Sequence, residues 1–168
     1  NVVLPRWDRE LAGHIISRYK VTTWTNIPTM IIDLLGSPNI ASFDLTSLEQ
    51  IGGGGAAMPQ AVAEKLERQF GLRYMEGYGL TETAPVIGLR NIKHQVPGTV
   101  SPLPETEIKI VDESGNPVGP GAKGVIHARG AQVMKGYYKR PDLTAAIMDK
   151  DGWLNTGDIG IWTHRGEY

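Results

Sequence analysis

Tyr78-Gly79-Leu80-Thr81-Glu82 puts an aromatic face, a glycine, a hydroxyl and a carboxylate into one short stretch. These are the groups needed to stack a base, let backbone approach a ligand, hold a phosphate and fix a divalent cation. The same residues also read as a core ring followed by a helix start, with Thr81 and Glu82 in the first turn. A second concentration, Gly52-Gly53-Gly54-Gly55-Ala56-Ala57, follows a candidate strand. Gly52, Gly54 and Ala57 fit the dinucleotide-binding spacing G-x-G-x-x-A, and Glu76 ends the next strand at about the expected interval. Four consecutive glycines ahead of Pro59 equally suit a tight structural turn. A Walker-type phosphate loop is excluded, because no lysine followed by serine or threonine closes the run.

The remaining chemistry-bearing residues are dispersed. His14, His94, His127 and His164 lack ligand spacing with one another or with a carboxylate pair, so no zinc site is expected. Asp112 and Glu113, ahead of Ser114-Gly115-Asn116, read as hairpin-turn residues facing water.

The elements that must position these groups alternate between helix and strand. Trp7 to Tyr19 has helical spacing, Val21 to Trp24 is β-prone, and Pro28 starts a helix that runs through Leu35 and stops at Gly36. Leu48 to Ile51 reads as a strand, Pro59 opens a helix with Val62, Leu66 and Phe70 on one face, and Leu72 to Met75 is a further strand. Strand, glycine loop, helix, strand, glycine loop is the grammar of an α/β layer. Beyond about Arg90 the texture becomes β-rich. Glu107 to Val111 and Gly124 to Arg129 alternate, Pro141 to Met148 reads as a short helix, and Trp153 to Trp162 as a final strand. The expectation is an α/β fold: residues 1–90 form part of a layered α/β subdomain and residues 91–168 an incomplete, smaller barrel-like β subdomain, with the ligand crevice between them.

Composition narrows the classes. The 168 residues carry a formal net charge of -1 and are 40% hydrophobic, enough for a packed core and without the basic bias of a nucleic-acid binder. Cysteine is absent, so there is no disulfide framework and no thiolate metal site, which suits a reducing compartment and a cytoplasmic setting. No window is apolar enough for a spanning helix, so any membrane contact is expected to be peripheral. The 21 glycines exceed the roughly 12 that average usage gives, and they cluster where special backbone geometry is needed.

Five stretches, in order, resemble the adenylate-forming superfamily of acyl- and aryl-CoA synthetases, peptide-synthetase adenylation domains and firefly-type luciferases. Val21 to Thr29 is similar to the family segment ending in hydrophobic-Pro-Thr, and Gly54-Gly55-Ala56 to its adenine-side loop. Glu76 to Thr83 resembles its Y-G-x-T-E stretch, and Gly124 to Tyr137 its spaced-glycine stretch ending in Gly136-Tyr137. Asp151 to Asp158 resembles its G-W-x-x-T-G-D motif. The resemblance implies that Tyr78 stacks on adenine, with Gly54, Gly55, Ala56, Glu76 and Gly77 lining the base and Gly79 belonging to the same nucleotide loop. It implies that Thr81 bonds the phosphate of ATP and then of the acyl-adenylate, that Glu82 helps bind magnesium, and that Asp158 accepts both ribose hydroxyls. Thr81 and Glu82 are thereby the implied catalytic pair.

The wording of Trp24 to Thr29, Gly52 to Met58 and Val133 to Tyr138 most resembles long- or medium-chain fatty-acid CoA ligases. The implied activity consumes fatty acid, ATP and coenzyme A. Small residues Ala56, Ala57, Thr83 and Ala84 are candidates to border an acyl tunnel, and Trp24 is either tunnel lining or core. Other acids, aryl or amino, and a non-catalytic nucleotide-binding module are the competing readings. The resemblance also implies that the family's pyrophosphate loop lies upstream of Asn1 and its lysine-bearing C-terminal domain beyond Tyr168. The chain is thus expected to be an internal piece, inactive without the rest of its polypeptide.

Overall fold

The computed structural model describes residues 1–90 and 98–168; His94 lies outside them. The chain divides into two compact units, Asn1–Glu76 and Gly77–Tyr168.

In the first unit, helix α1 (Arg9–Tyr19) begins where the Asp8 side chain accepts from the Leu11 amide at 2.9 Å, satisfying one of the unpaired N–H groups of the first turn. Strand β1 (Thr23–Thr25) leads to α2 (Pro28–Leu35), which starts on the proline whose fixed φ suits a first turn and is capped by Gly36. Strand β2 (Gln50–Gly53), helix α3 (Gln60–Phe70) and strand β3 (Tyr74–Tyr78) complete the run. Parallel pairing joins Thr23–Thr25 to Gln50–Gly52, and Ile51–Gly53 to Tyr74–Glu76. The helices pack a core of Ile16, Ile31, Leu34, Leu35, Leu66 and Tyr74 with their neighbours. This is the layered α/β arrangement expected of strands joined by crossover helices.

Two strand limits differ from expectation in an informative way. β2 runs into the glycine cluster, and β3 continues through Glu76 and Gly77 to Tyr78. Half of the presumed glycine loop is therefore strand. At Gly52 and Gly53 a β-carbon would lie 2.3 Å from the Met75 carbonyl oxygen and 1.9 Å from that of Asn26, so strand packing requires both glycines.

The second unit opens with the end of β3. Gly77 and Tyr78 pair antiparallel with β4 (Gly88–Leu89), and β4 pairs with β5 (Ser101–Pro102). A separate antiparallel sheet has the order β6 (Glu107–Val111), β7 (Lys123–Arg129), β8 (Leu154–Ile161), and α4 (Pro141–Ile147) lies between β7 and β8 in the chain. The β6–β7 turn is held by Asp112, whose Oδ1 accepts from the amides of Ser114 and Asn116, as the sequence suggests. Val100, Ile110, Ile126 and Tyr168 form this unit's buried cluster, with Tyr78 and Trp162 against it. Among the described residues no helix is long and apolar enough to cross a membrane.

Candidate functional site

The best-defined arrangement lies in the second unit. Tyr78 ends β3 as a half-buried ring set edge-on against Tyr168, 5.9 Å between centroids. Its hydroxyl donates to Asp158 Oδ2 at 2.7 Å, joining residues eighty positions apart. Burial, reinforced by the Asp158 carboxylate, pushes the Tyr78 phenol well above its ordinary range, so the hydroxyl stays a donor near neutrality.

Asp158 owes its presentation to a break in the β7–β8 ladder. Val125 pairs with Ile159 and His127 with Asn155, so Ile126 alone faces Thr156, Gly157 and Asp158. Gly157 takes a φ of +76°, a conformation that costs L-residues strain. Thr156 closes the bulge: its hydroxyl donates to the Ile126 carbonyl at 2.8 Å and accepts from the Asp158 amide at 3.1 Å. Bulges of this kind re-aim a side chain beside a functional site. The sequence reading as an unbroken strand is corrected here, because a side chain reaching across the ladder leaves no trace in residue periodicity.

Thr81 and Glu82 sit in a single 3₁₀ turn, Thr81–Thr83. Thr81 is exposed and adjacent to Glu82. Thr83 is fully buried, and its hydroxyl accepts from the Leu80 amide and contacts the carbonyls of Leu80 and Pro85 at 2.9 and 3.0 Å. It secures the turn, which is a packing role and not the tunnel-lining role considered for it above. Gly79 is needed by the chain itself: a β-carbon there would fall 1.8 Å from the Pro85 carbonyl oxygen.

Glu82 is gripped twice. Tyr137 donates its hydroxyl to Glu82 Oε1 at 2.7 Å, and the Met134 amide donates to the Glu82 carbonyl at 2.8 Å. The Tyr137 hydrogen bond holds the Glu82 carboxyl below the usual carboxylate range, and Glu82 in turn raises the Tyr137 phenol. Tyr137 is a contact partner that the sequence reading noted only as a family residue.

In the first unit, Gly54 is half-buried, Gly55 and Ala56 are exposed, and the Glu76 carboxylate is buried where it accepts from the Met58 amide at 2.8 Å. That bond ties the end of β3 to the segment just after the glycine run. Trp24 stacks on Trp7 with centroids 5.9 Å apart and packs on the core, which gives it a structural place. Among the described residues no three His, Asp or Glu side chains gather into a metal site. A carboxylate that is ionised near neutrality and has spent one lone pair on Tyr137 still fits a magnesium ion, which is typically held by one or two carboxylates together with substrate phosphates.

The second unit thus holds a strand-end aromatic bonded to a bulge carboxylate, and a turn bearing a hydroxyl and an ionised carboxylate. Residues 1–138 match the family model described as AMP-binding enzyme, and the chain belongs to that family. It is 38% identical over 168 residues to the long-chain-fatty-acid–CoA ligase of Bacillus subtilis, covering 98% of this chain and 30% of that protein. Among solved structures it superposes on an anthranilate CoA ligase in complex with anthranoyl-AMP with a TM-score of 0.91 at 26% identity, covering 99% of this chain and 33% of that one. It also superposes on ATP-bound MatB from Rhodopseudomonas palustris, with a TM-score of 0.87 at 28% identity, covering 98% and 33%. The chain thus spans about a third of the length of these relatives.

Proposed function

We propose that this chain supplies the adenine- and ribose-binding part of an acid–thiol ligase that activates a fatty acid with ATP. The observation that carries the reading is the Tyr78–Asp158 hydrogen bond, which unites an aromatic face and a carboxylate from two separate motifs. In this reading the Tyr78 ring stacks on adenine, and Asp158 accepts from the ribose hydroxyls with the lone pairs left after its bond to Tyr78. The backbone of Gly77 and Gly79 lines the nucleotide. Thr81 donates to the α-phosphate and Glu82 contributes a carboxylate oxygen to the metal. When bound, magnesium neutralises charge on the transferred phosphates. The acid's carboxylate attacks the α-phosphorus, the bond to the bridging oxygen of pyrophosphate breaks, and acyl-AMP forms. The thiol of coenzyme A, losing its proton, then displaces AMP from the acyl carbon. The residues named here bind and orient; positioning accounts for most of what they contribute.

A fatty acid is favoured by the long-chain ligase relatives. An aryl acid is the second reading, favoured by the anthranilate ligase superposition. A substrate panel on the full-length protein separates them.

The nucleotide site is tested by calorimetric titration with a non-hydrolysable acyl-AMP analogue, comparing wild type with Asp158→Ala in the full-length protein. The expected loss is about 1.5–3 kcal/mol, the scale of a hydrogen bond to a charged group. Equal affinity in a folded variant sinks the assignment.

A further inference from the structure

The spaced-glycine stretch ending in Gly136-Tyr137 has no role in the proposed reaction, yet it makes two hydrogen bonds to Glu82. The Tyr137 hydroxyl donates to Glu82 Oε1 at 2.7 Å and the Met134 amide donates to the Glu82 carbonyl at 2.8 Å. A residue held at both its backbone and its side chain has few rotamers left, so its carboxylate direction is set before any ligand arrives. The grip is itself braced. The Tyr137 amide donates to Thr144 Oγ1 at 2.9 Å, and that hydroxyl donates to the Arg140 carbonyl at 3.0 Å within the first turn of α4. Thr144 of α4 thus holds the Tyr137 backbone, and the Tyr137 side chain holds Glu82. Tyr137 is 37% exposed and belongs to neither buried cluster.

We propose that Tyr137 is a positioning residue for Glu82: its hydroxyl fixes one carboxylate oxygen so that the remaining lone pairs face the metal and phosphates during adenylate formation. This rests on the reading of Glu82 given under the proposed function. In this role Tyr137 acts only through Glu82, the carboxylate that would hold the metal.

The test uses the full-length protein as wild type, Tyr137→Phe and Glu82→Gln. Pyrophosphate release is followed as a function of magnesium concentration at saturating ATP, and separately as a function of the acid substrate. Tyr137→Phe is expected to raise the magnesium concentration for half-maximal rate roughly three- to tenfold, the scale of one hydrogen bond. The KM for the acid should stay within about twofold, since uniform binding of the acid is untouched. Glu82→Gln should raise the magnesium requirement further. If Tyr137→Phe keeps the wild-type magnesium dependence while Glu82→Gln loses it, the positioning role is refuted and the role of Glu82 stands. If Tyr137→Phe shifts both dependences together, its role is structural and the proposal falls. If Glu82→Gln leaves the magnesium dependence unchanged, the reading of Glu82 fails and takes this proposal with it.

Discussion

Replacing Gly79 with alanine isolates the requirement for a bare backbone in the turn that carries Thr81 and Glu82. The added β-carbon would sit 1.8 Å from the Pro85 carbonyl oxygen and 2.7 Å from the Val86 α-carbon, both backbone atoms that cannot rotate away. Relief requires the two segments to part by about 1 Å or more, given ordinary van der Waals contact. Two hydrogen bonds span that gap: the Ile87 amide to the Tyr78 carbonyl at 2.9 Å and the Thr83 hydroxyl to the Pro85 carbonyl at 3.0 Å. Thr83 is wholly buried, and its one hydroxyl proton can still go to the Leu80 carbonyl at 2.9 Å when Pro85 withdraws. Two weakened hydrogen bonds come to about 1–3 kcal/mol. In urea unfolding of the full-length protein followed by tryptophan fluorescence, that appears as a lowered midpoint relative to wild type. Where the variant remains folded, displacement of Thr81 and Glu82 on this scale should slow pyrophosphate release by about a hundredfold. Gly119→Ala is the control, because nothing lies within 4 Å of its added carbon, and it should stay within about 0.5 kcal/mol. A Gly79→Ala protein as stable and active as Gly119→Ala would mean that the turn tolerates a side chain at position 79.

Thr156→Val removes the hydroxyl that closes the β8 bulge, strands the Ile126 carbonyl and frees the Asp158 amide. It should cost about 1–3 kcal/mol in unfolding experiments and weaken binding of the acyl-AMP analogue; wild-type affinity would mean that the bulge holds without Thr156. His127 has its pKa lowered chiefly by burial, with Lys109 adding to the effect. Below its unfolded pKa of about 6.5 the unfolded chain takes up the proton more readily than the folded one, so this contribution to stability is complete above that pH and is lost as pH falls through the lowered folded value. His127→Gln should flatten that part of the stability-versus-pH curve, and an unchanged slope would assign it to other groups.

The helices were legible where terminal chemistry announced them. Pro28 and Gly36 bracket α2 as read, and Pro141 starts α4 as read. β6 matches because Glu107 to Val111 alternates cleanly. β2 was misplaced because Gly52 and Gly53 lack side chains and have no β preference of their own, whereas their strand conformation comes from parallel pairing with Met75 and Glu76. β4 and β5 have two residues each and so carry no periodicity to detect. For the candidate site, the residue types at 78, 81, 82 and 158 were visible as a set only through resemblance to a family. Their pairing was not visible, since the Tyr78–Asp158 and Glu82–Tyr137 bonds cross 80 and 55 residues. Thr83 shows the opposite failure: its type suggested a small lining residue, and its burial and three backbone contacts make it a structural clamp.

The break in the β7–β8 ladder adds an even number of residues to one strand, since Asn155 and Ile159 flank it opposite His127 and Val125. Strand side chains alternate faces with a period of two, so an even insertion leaves the inward and outward sets in phase on both sides, whereas an odd one would invert every side chain beyond it. Leu154 on one side and the Val125–Ile159 pair on the other therefore answer to the same sheet as if nothing stood between them. Asp158 is carried on a detachable addition: shortening β8 by two residues would let the ladder close and remove the carboxylate, with the buried face of the sheet kept in register. The acid-bearing loop and the sheet that supports it can thus vary independently.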